Sequence, residues 1–124
     1  MTRVNCGINP KELNTRHLLA EHHEMVRIPN NVRKGKVNLS IKQDTFKLGT
    51  NHVRFFYTRL GYLLKRYKEV YKECIRRGFK VQNYESAWVG VPRELMGDYE
   101  EREEDAVIIR ERIREKLHGN NQPI

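Results

Sequence analysis

The chain has 124 residues and a mass of 14.8 kDa, the size of one small domain over residues 1–124. It carries 24 lysines and arginines against 16 acidic residues, a net charge of +8, and its mean hydropathy of −0.80 leaves no apolar run long enough to span a membrane. Two cysteines cannot build a disulfide framework, and the N-terminus has no apolar signal core. We therefore expect a cytoplasmic protein with no membrane partner.

The first predicted helix runs from Asn9-Pro10 to about Arg27. Asparagine suits the N-cap and proline the first helical position, and the helix is expected to end before Pro29. On a helical wheel, one side is apolar, with Leu18, Leu19, Met25 and Val26. The opposite side is polar and basic, with one carboxylate among its members, which are Arg16, His17, Ala20, His23, Glu24 and Arg27.

Residues 32–50 are predicted to form a basic loop, within which residues 37–41 could form a short strand. A second helix is expected from near Asn51, with a bend at Gly61 and an end at Gly78. Its apolar residues recur every three or four positions, and we interpret its tyrosines as core residues rather than as a base-stacking platform. The recurring positions are Val53, Phe56, Tyr57, Leu60, Leu64, Tyr67, Val70, Tyr71, Cys74 and Ile75.

Residues 79–104 are expected to connect to a third helix, and residues 119–124 to fray. The third helix carries its apolar residues on one face, at Ala106, Ile109, Ile113 and Leu117. The whole pattern predicts an all-α, compact single domain of three main helices with long irregular connections.

Charge is distributed unevenly along the chain. Residues 27–50 carry six basic residues and one acidic residue, and residues 51–84 carry nine and two, whereas residues 85–105 carry two and eight. A basic centre beside an acidic segment favours a polyanion on one face of the protein. From charge alone, DNA, RNA, an anionic membrane surface and an ordinary solvated surface all remain open.

A metal site would have to draw on the acidic and histidine residues of the first helix: His17, Glu21, His22, His23 and Glu24. His17 and Glu21 are four residues apart, which suits two ligands on one face. His22 and His23 point in different directions, and no second helix offers an obvious partner ligand. We therefore expect no metal and no cofactor. The common nucleotide-binding, hydrolase and metalloprotease motifs are also absent from the sequence.

The N-terminus offers a candidate nucleophile. Thr2 is small enough for removal of Met1 to expose its α-amine. Such an amine has a pKa of about 7.7–8.0, against about 10.4 for lysine, so part of it is neutral near pH 7. It can attack C1′ of a deoxyribose and form a Schiff base. A small second residue is commonplace, so Thr2 alone does not establish this chemistry.

The sequence resembles the phage-type pyrimidine-dimer DNA glycosylases with apurinic/apyrimidinic lyase activity, the dimer-specific endonuclease V family. The resemblance extends to about residue 117 through Met1-Thr2-Arg3-Val4-Asn5, His17-Leu18-Leu19-Ala20-Glu21, Glu24, Arg27, Val32-Arg33-Lys34, Thr45-Phe46-Lys47-Leu48-Gly49, His52-Val53, Phe55-Phe56-Tyr57, Leu63, Lys65-Arg66, Glu73-Cys74, Arg77-Gly78-Phe79, Gly97-Asp98-Tyr99, Arg112 and Glu115-Lys116. It departs from the family at Arg16, at His23 and in residues 119–124, which contain no aromatic residue where the family has an aromatic-rich tail.

The resemblance implies catalytic roles for Thr2, as the amine nucleophile, and for Glu24. A carboxylate facing the sugar can stabilise a cationic C1′ and then remove the 2′ proton; the alternative for Glu24 is a surface ion pair with Arg27. The resemblance also implies that the partner is double-stranded damaged DNA, bound by a monomer with the target nucleotide flipped out. The DNA-binding residues would be Arg3, His17, Arg27, Arg33, Lys34, Arg112 and Lys116, with Arg16 and His23 beside them.

Two alternatives remain open. One keeps the chemistry but changes the lesion to an abasic site or another damaged or modified base. The other is a basic DNA-binding module without catalysis.

Overall fold

The computed structural model describes residues 3–39, 46 and 52–119, with side chains as far as Lys116. Its α-helices are α1 (Thr15–Glu24), α2 (Arg27–Arg33), α3 (Leu60–Arg76) and α4 (Glu103–Gly119). The described ranges contain no strand beyond one isolated bridge, between Arg59 and Met96. The predicted all-α fold, with three main helices (α1, α3 and α4) and irregular connections, is confirmed.

The first predicted helix is divided in the structure. Asn9 caps only a three-residue 3-10 turn, Pro10–Glu12, and the backbone of Leu13 is extended. A second cap at Asn14 then starts α1, where its side chain accepts a hydrogen bond from the backbone N–H of His17 at 2.8 Å. Two asparagine caps five residues apart thus produce a turn and a helix rather than one long helix.

The first helix ends before Pro29 as predicted, with α1 ending at Glu24, but the sequence did not predict the separate helix α2 that follows. Pro29 is the third residue of α2, within its first turn, where the backbone nitrogen has no acceptor inside the helix. Helix α2 also includes Val32 and Arg33, the first residues of the predicted basic loop. The predicted strand is not formed over residues 37–39, and its last two residues lie outside the described residues.

Helix α3 starts later than predicted, at Leu60, after a 3-10 turn at Val53–Phe56; Asn51, the predicted start, lies outside the described residues. The predicted end is confirmed: Gly78 has a φ of +85°, and its N–H donates to the carbonyl of Ile75 at 2.9 Å. The N–H of Phe79 donates to the carbonyl of Cys74 at 3.0 Å, which completes a Schellman cap.

Gly61 does not bend α3. A Cβ at this position would lie 2.6 Å from the carbonyl oxygen of Met96 and 2.9 Å from that of Gly97. The missing side chain lets the 96–97 segment lie directly on the first turn of α3, where Tyr62 N–H donates to the Gly97 carbonyl at 3.0 Å. Gly61 is therefore a position of close backbone contact.

The core forms around α3. Tyr67, Phe55 and Phe56 are fully buried and Tyr62 nearly so, which confirms these two tyrosines of α3 as core residues. Of the predicted apolar positions, only Ile75 is a clear exception, with 48% exposure. Ala106 and Ile109 of α4 are buried as predicted, and Ile113 packs against the core; the side chain of Leu117 is outside the described part.

Helix α4 begins inside the acidic run. Glu103, Glu104 and Asp105 occupy its first turn, where carboxylates favour the positive end of the helix dipole. No helix among the described residues is both long and apolar enough to cross a membrane.

Candidate active site

The N-terminal segment is buried against α1 and α3. Val4, Asn5, Cys6 and Ile8 have at most 5% exposure. The Val4 N–H donates to Nε2 of His52 at 2.8 Å. The Asn5 side chain donates to Oε1 of Glu21 at 2.7 Å, and its backbone N–H donates to Oε2 at 3.3 Å. The start of the chain is thus attached to the interior through its backbone.

A buried ion pair joins α1 to α3 beside this segment. Arg66 Nε and Nη2 donate to Glu21 Oε2 and Oε1 at 2.8 and 2.9 Å, and Arg66 Nη1 donates to the carbonyl of Ile8. The two side chains are 2% and 0% exposed. Burial opposes the charge of Arg66, but Glu21 outweighs it and raises the pKa of the guanidinium, so Arg66 stays charged.

Arg3, which immediately precedes Val4, is influenced by charged residues of two helices, α1 and α4. Burial of its guanidinium lowers the pKa of Arg3, nearby Arg112 lowers it further, and nearby Glu24 partly offsets both. Arg3 is half-buried. Its guanidinium links the N-terminal segment electrostatically to Glu24 of α1 and Arg112 of α4. These residues form a cationic group with one carboxylate, which suits an anionic ligand.

His17 belongs to the same cluster. Burial lowers the pKa of His17, and the charges of Arg16, Lys116 and Arg3 lower it further, so its imidazole is neutral at pH 7. Its Nδ1 atom is buried and has no hydrogen-bond partner among the described residues. Because the His17 ring is neutral, the positive charge around it comes from the arginines and Lys116.

Glu24 lies one turn from the buried Glu21 but in different surroundings. Its side chain is 22% exposed, and Oε1 is 3.9 Å from Nη1 of Arg27, whose side chain is 51% exposed. A carboxylate that reaches solvent among cations can face a substrate and accept a proton from it. We name the group of Arg3, His17, Glu24, Arg112 and Lys116 the N-terminal charge cluster.

The other predicted site residues have different positions. Thr2 lies outside the described residues. Arg16 and His23 are exposed on α1, and Lys34 is the exposed C-cap of α2. Arg33 donates to the carbonyl of Val89 at 3.3 Å and to Asn30 Oδ1 at 3.0 Å, so it contacts the turn after Trp88 rather than the N-terminal charge cluster.

The residues considered for a metal site do not converge. Glu21 is occupied by Arg66 and Asn5, and His22 Nε2 lies 2.9 Å from both the Tyr67 hydroxyl and the Gln82 carbonyl. Over the described part of the chain, no three side chains of the usual ligand types are grouped to hold a metal ion.

Sequence reasoning missed the residues that hold the N-terminal segment: Glu21, Arg66 and His52. A signal was present for two of them. Arg66 is a cation on the apolar face of α3, between Leu63 and Val70, and Glu21 lies between Leu18 and Met25 on the buried face of α1. Charges at such positions indicate a buried pair. No local pattern marked His52.

The sequence matches a known family model over most of its length. Residues 1–84 match the family model described as pyrimidine dimer DNA glycosylase. The match includes the N-terminal segment and helices α1 to α3, and ends before α4, which contributes Arg112 and Lys116. It spans well over half of the chain, and the chain belongs to the pyrimidine dimer DNA glycosylase family.

Proposed function

We propose that this DNA glycosylase is bifunctional. It cleaves the N-glycosidic bond at UV-induced pyrimidine dimers in double-stranded DNA and then nicks the abasic site by β-elimination, through a Schiff base on the α-amine of Thr2. The observation that carries the proposal is the N-terminal charge cluster, where the charges of Glu24 and Arg112 both act on Arg3, and those of Arg3 and Lys116 act on His17. The family supplies the substrate class.

The proposed reaction uses two groups of the chain. The neutral α-amine attacks C1′ as the bond to the base breaks with its electron pair, and Glu24 stabilises the positive charge that develops on the sugar. Opening of the sugar ring, with a proton to O4′, leaves an imine between C1′ and the amine. Glu24 then removes a 2′ proton, the 3′ phosphate leaves with its bonding electrons, and water hydrolyses the imine.

The cations of the N-terminal charge cluster would bind the phosphates flanking the lesion. Arg112 and Lys116 are four residues apart on α4, so they occupy one helical face. Exposed Arg16 and His23 on α1, together with exposed Arg27 at the start of α2, would extend the same cationic surface, and Arg33 and Lys34 would contact phosphates further along the duplex. Binding of this kind releases counterions and is independent of base sequence.

A second lesion class is supported by one observation. Residues 119–124 contain no aromatic side chain, and an aromatic stacked on a base contributes about 1–3 kcal/mol. An abasic site needs no such stacking, because the base is already absent. A lesion panel containing a thymine dimer, an abasic site and undamaged DNA separates the two by the ratio of nicking rates.

Borohydride trapping tests the mechanism. With abasic DNA, reduction should give a covalent complex, and mass mapping should place the attachment at residue 2 of a chain whose intact mass lacks Met1. Thr2→Ala retains the α-amine and should still nick DNA. One residue added before Thr2 moves the amine by up to about 3.6 Å and should abolish trapping and nicking. Attachment at a lysine such as Lys11 or Lys34 would contradict the mechanism.

A further inference from the structure

We propose that His52 and Glu21 are positioning residues, which hold the backbone of Val4 and Asn5 so that the N-terminal amine stays beside Glu24. This inference rests on the proposed Schiff-base function. It concerns side chains outside the N-terminal charge cluster, which would act through the backbone of Val4 and Asn5. Both act on the same short segment from different elements: Glu21 from α1, and His52 from the turn before α3.

His52 is built as a backbone anchor. It is 2% exposed, and its Nε2 accepts the Val4 N–H, so this nitrogen carries no proton. The ring packs edge-on between Phe46 and Phe56, with centroid distances of 5.5 and 5.4 Å. These contacts fix the ring plane, and with it the position of Val4. Without this acceptor the buried N–H would be unsatisfied.

Glu21 holds Asn5, the residue after Val4, through hydrogen bonds to both of its carboxylate oxygens. Each carboxylate oxygen accepts one hydrogen bond from Asn5 and one from Arg66, with lengths from 2.7 to 3.3 Å. The charge is neutralised by Arg66, and the side chain is buried. Glu21 is therefore a clamp on Asn5, unsuited to proton transfer with a substrate.

The position of these anchors determines how far the amine can move. Thr2 and Val4 are two positions apart in the sequence, so their α-carbons lie within about 7 Å of each other. If Val4 and Asn5 are released, the next backbone attachment is the Gly7 N–H, which donates to Glu101 Oε2 at 2.8 Å. The tether then lengthens from two residues to five, and the concentration of amine at C1′ falls.

The experiment compares His52→Phe, which removes the acceptor but keeps a ring, with His52→Gln, which restores an acceptor near Nε2. His22→Phe is the matched control, because it removes a buried, hydrogen-bonded imidazole elsewhere in the core. For each variant we would measure the single-turnover rate of borohydride trapping on DNA with a preformed abasic site. We would also measure Kd for DNA carrying an unreactive tetrahydrofuran abasic analogue, and the melting temperature.

We expect His52→Phe to trap about 100-fold more slowly, since a misplacement of about 1 Å has an effect of this size. Its Kd should be unchanged, because the phosphate contacts remain. His52→Gln should recover most of the rate, and His22→Phe should trap at the wild-type rate. If His52→Phe does not fold, Asn5→Ala removes one hydrogen bond to Glu21, retains the ion pair with Arg66, and should slow trapping in the same direction.

The possible results separate this inference from the mechanism beneath it. Wild-type trapping at residue 2, together with wild-type rates in His52→Phe and Asn5→Ala, overturns the positioning role alone. Equal slowing in His52→Phe and His52→Gln, or parallel losses of trapping and binding, also overturns it. A wild-type enzyme that does not trap at residue 2 overturns the Schiff-base function and the positioning role with it.

Discussion

Glu21 and Glu24 are the same residue type, three positions apart on α1, and the structure treats them in opposite ways. Glu21 is buried, and both its oxygens are occupied by Arg66 and Asn5. Glu24 is 22% exposed, and its ion pair with Arg27 is long, at 3.9 Å. A step of three residues leaves two side chains about 60° apart around a helix, and on α1 this separates the buried side from the side that reaches solvent.

The comparison separates two uses of a carboxylate. A buried, bidentate pair such as Glu21–Arg66 has a defined geometry, and its charge is neutralised inside the protein. A carboxylate that reaches solvent, as Glu24 does, can instead stabilise a positive charge that develops on a bound sugar. In the proposed mechanism, Glu21 therefore orders the N-terminal segment and Glu24 carries out the chemistry.

Glu24→Gln should have the largest effect. The substitution keeps size and hydrogen bonding but removes the charge and the base, and should lower single-turnover base release by about 10²–10⁴-fold. Kd for damaged DNA and the free energy of unfolding should change little. A nearly normal cleavage rate would mean that Glu24 is only a surface ion-pair partner of Arg27.

Glu21→Gln should differ from Glu24→Gln by its effect on stability. It leaves Arg66 buried without its counter-charge, which is expected to lower the free energy of unfolding by about 3–5 kcal/mol. Urea denaturation measures the loss, and Glu24→Gln serves as the matched control on the same helix, since an exposed ion pair contributes at most about 0.5 kcal/mol. Equal stability of the two variants would remove the distinction between the residues.

Arg112→Ala and Lys116→Ala test the phosphate interactions of α4. Removal of one cation that binds a phosphate should reduce the slope of log K against log salt by about 0.9, and weaken damaged and undamaged duplexes alike. Arg110→Ala is the control, because Arg110 is on the same helix but pairs with Glu12 at 2.8 Å. Fluorescence anisotropy across a salt series gives the slopes, and an unchanged slope in the double variant would place α4 away from DNA.

The smallest expected effect concerns acid stability. Burial lowers the pKa of both His17 and His22 below the ordinary value of 6.5. The unfolded chain therefore takes up protons first, so stability should fall as pH drops below 6.5 and level off below the folded pKa values. His17→Gln should flatten this part of the curve of unfolding free energy against pH, with Glu24→Gln as a variant that leaves it in place.

Local features of the sequence were sufficient to predict the three main helices, though not all of their bounds, and the side of α1 that faces away from the core. A 3.6-residue period predicts which residues of α3 and α4 are buried, and it places His17 and Glu24 on the side of α1 away from Leu18 and Met25. Gly78 ends α3 as expected because a Schellman cap needs only neighbouring residues. Pro29 was misassigned because proline is compatible with the first turn of a helix as well as with its end.

Tertiary structure alone decided which partners these residues meet. Arg66 pairs with Glu21 across 45 positions, and His52 binds Val4 across 48. Arg112 reaches Arg3 only because α4 packs on the N-terminal segment, where Gly7 lies against Ala106. Periodicity reports the side of a helix that is buried, but it carries no information about what lies opposite. The anchoring of the N-terminal segment therefore depends on contacts that form only when distant parts of the chain pack together.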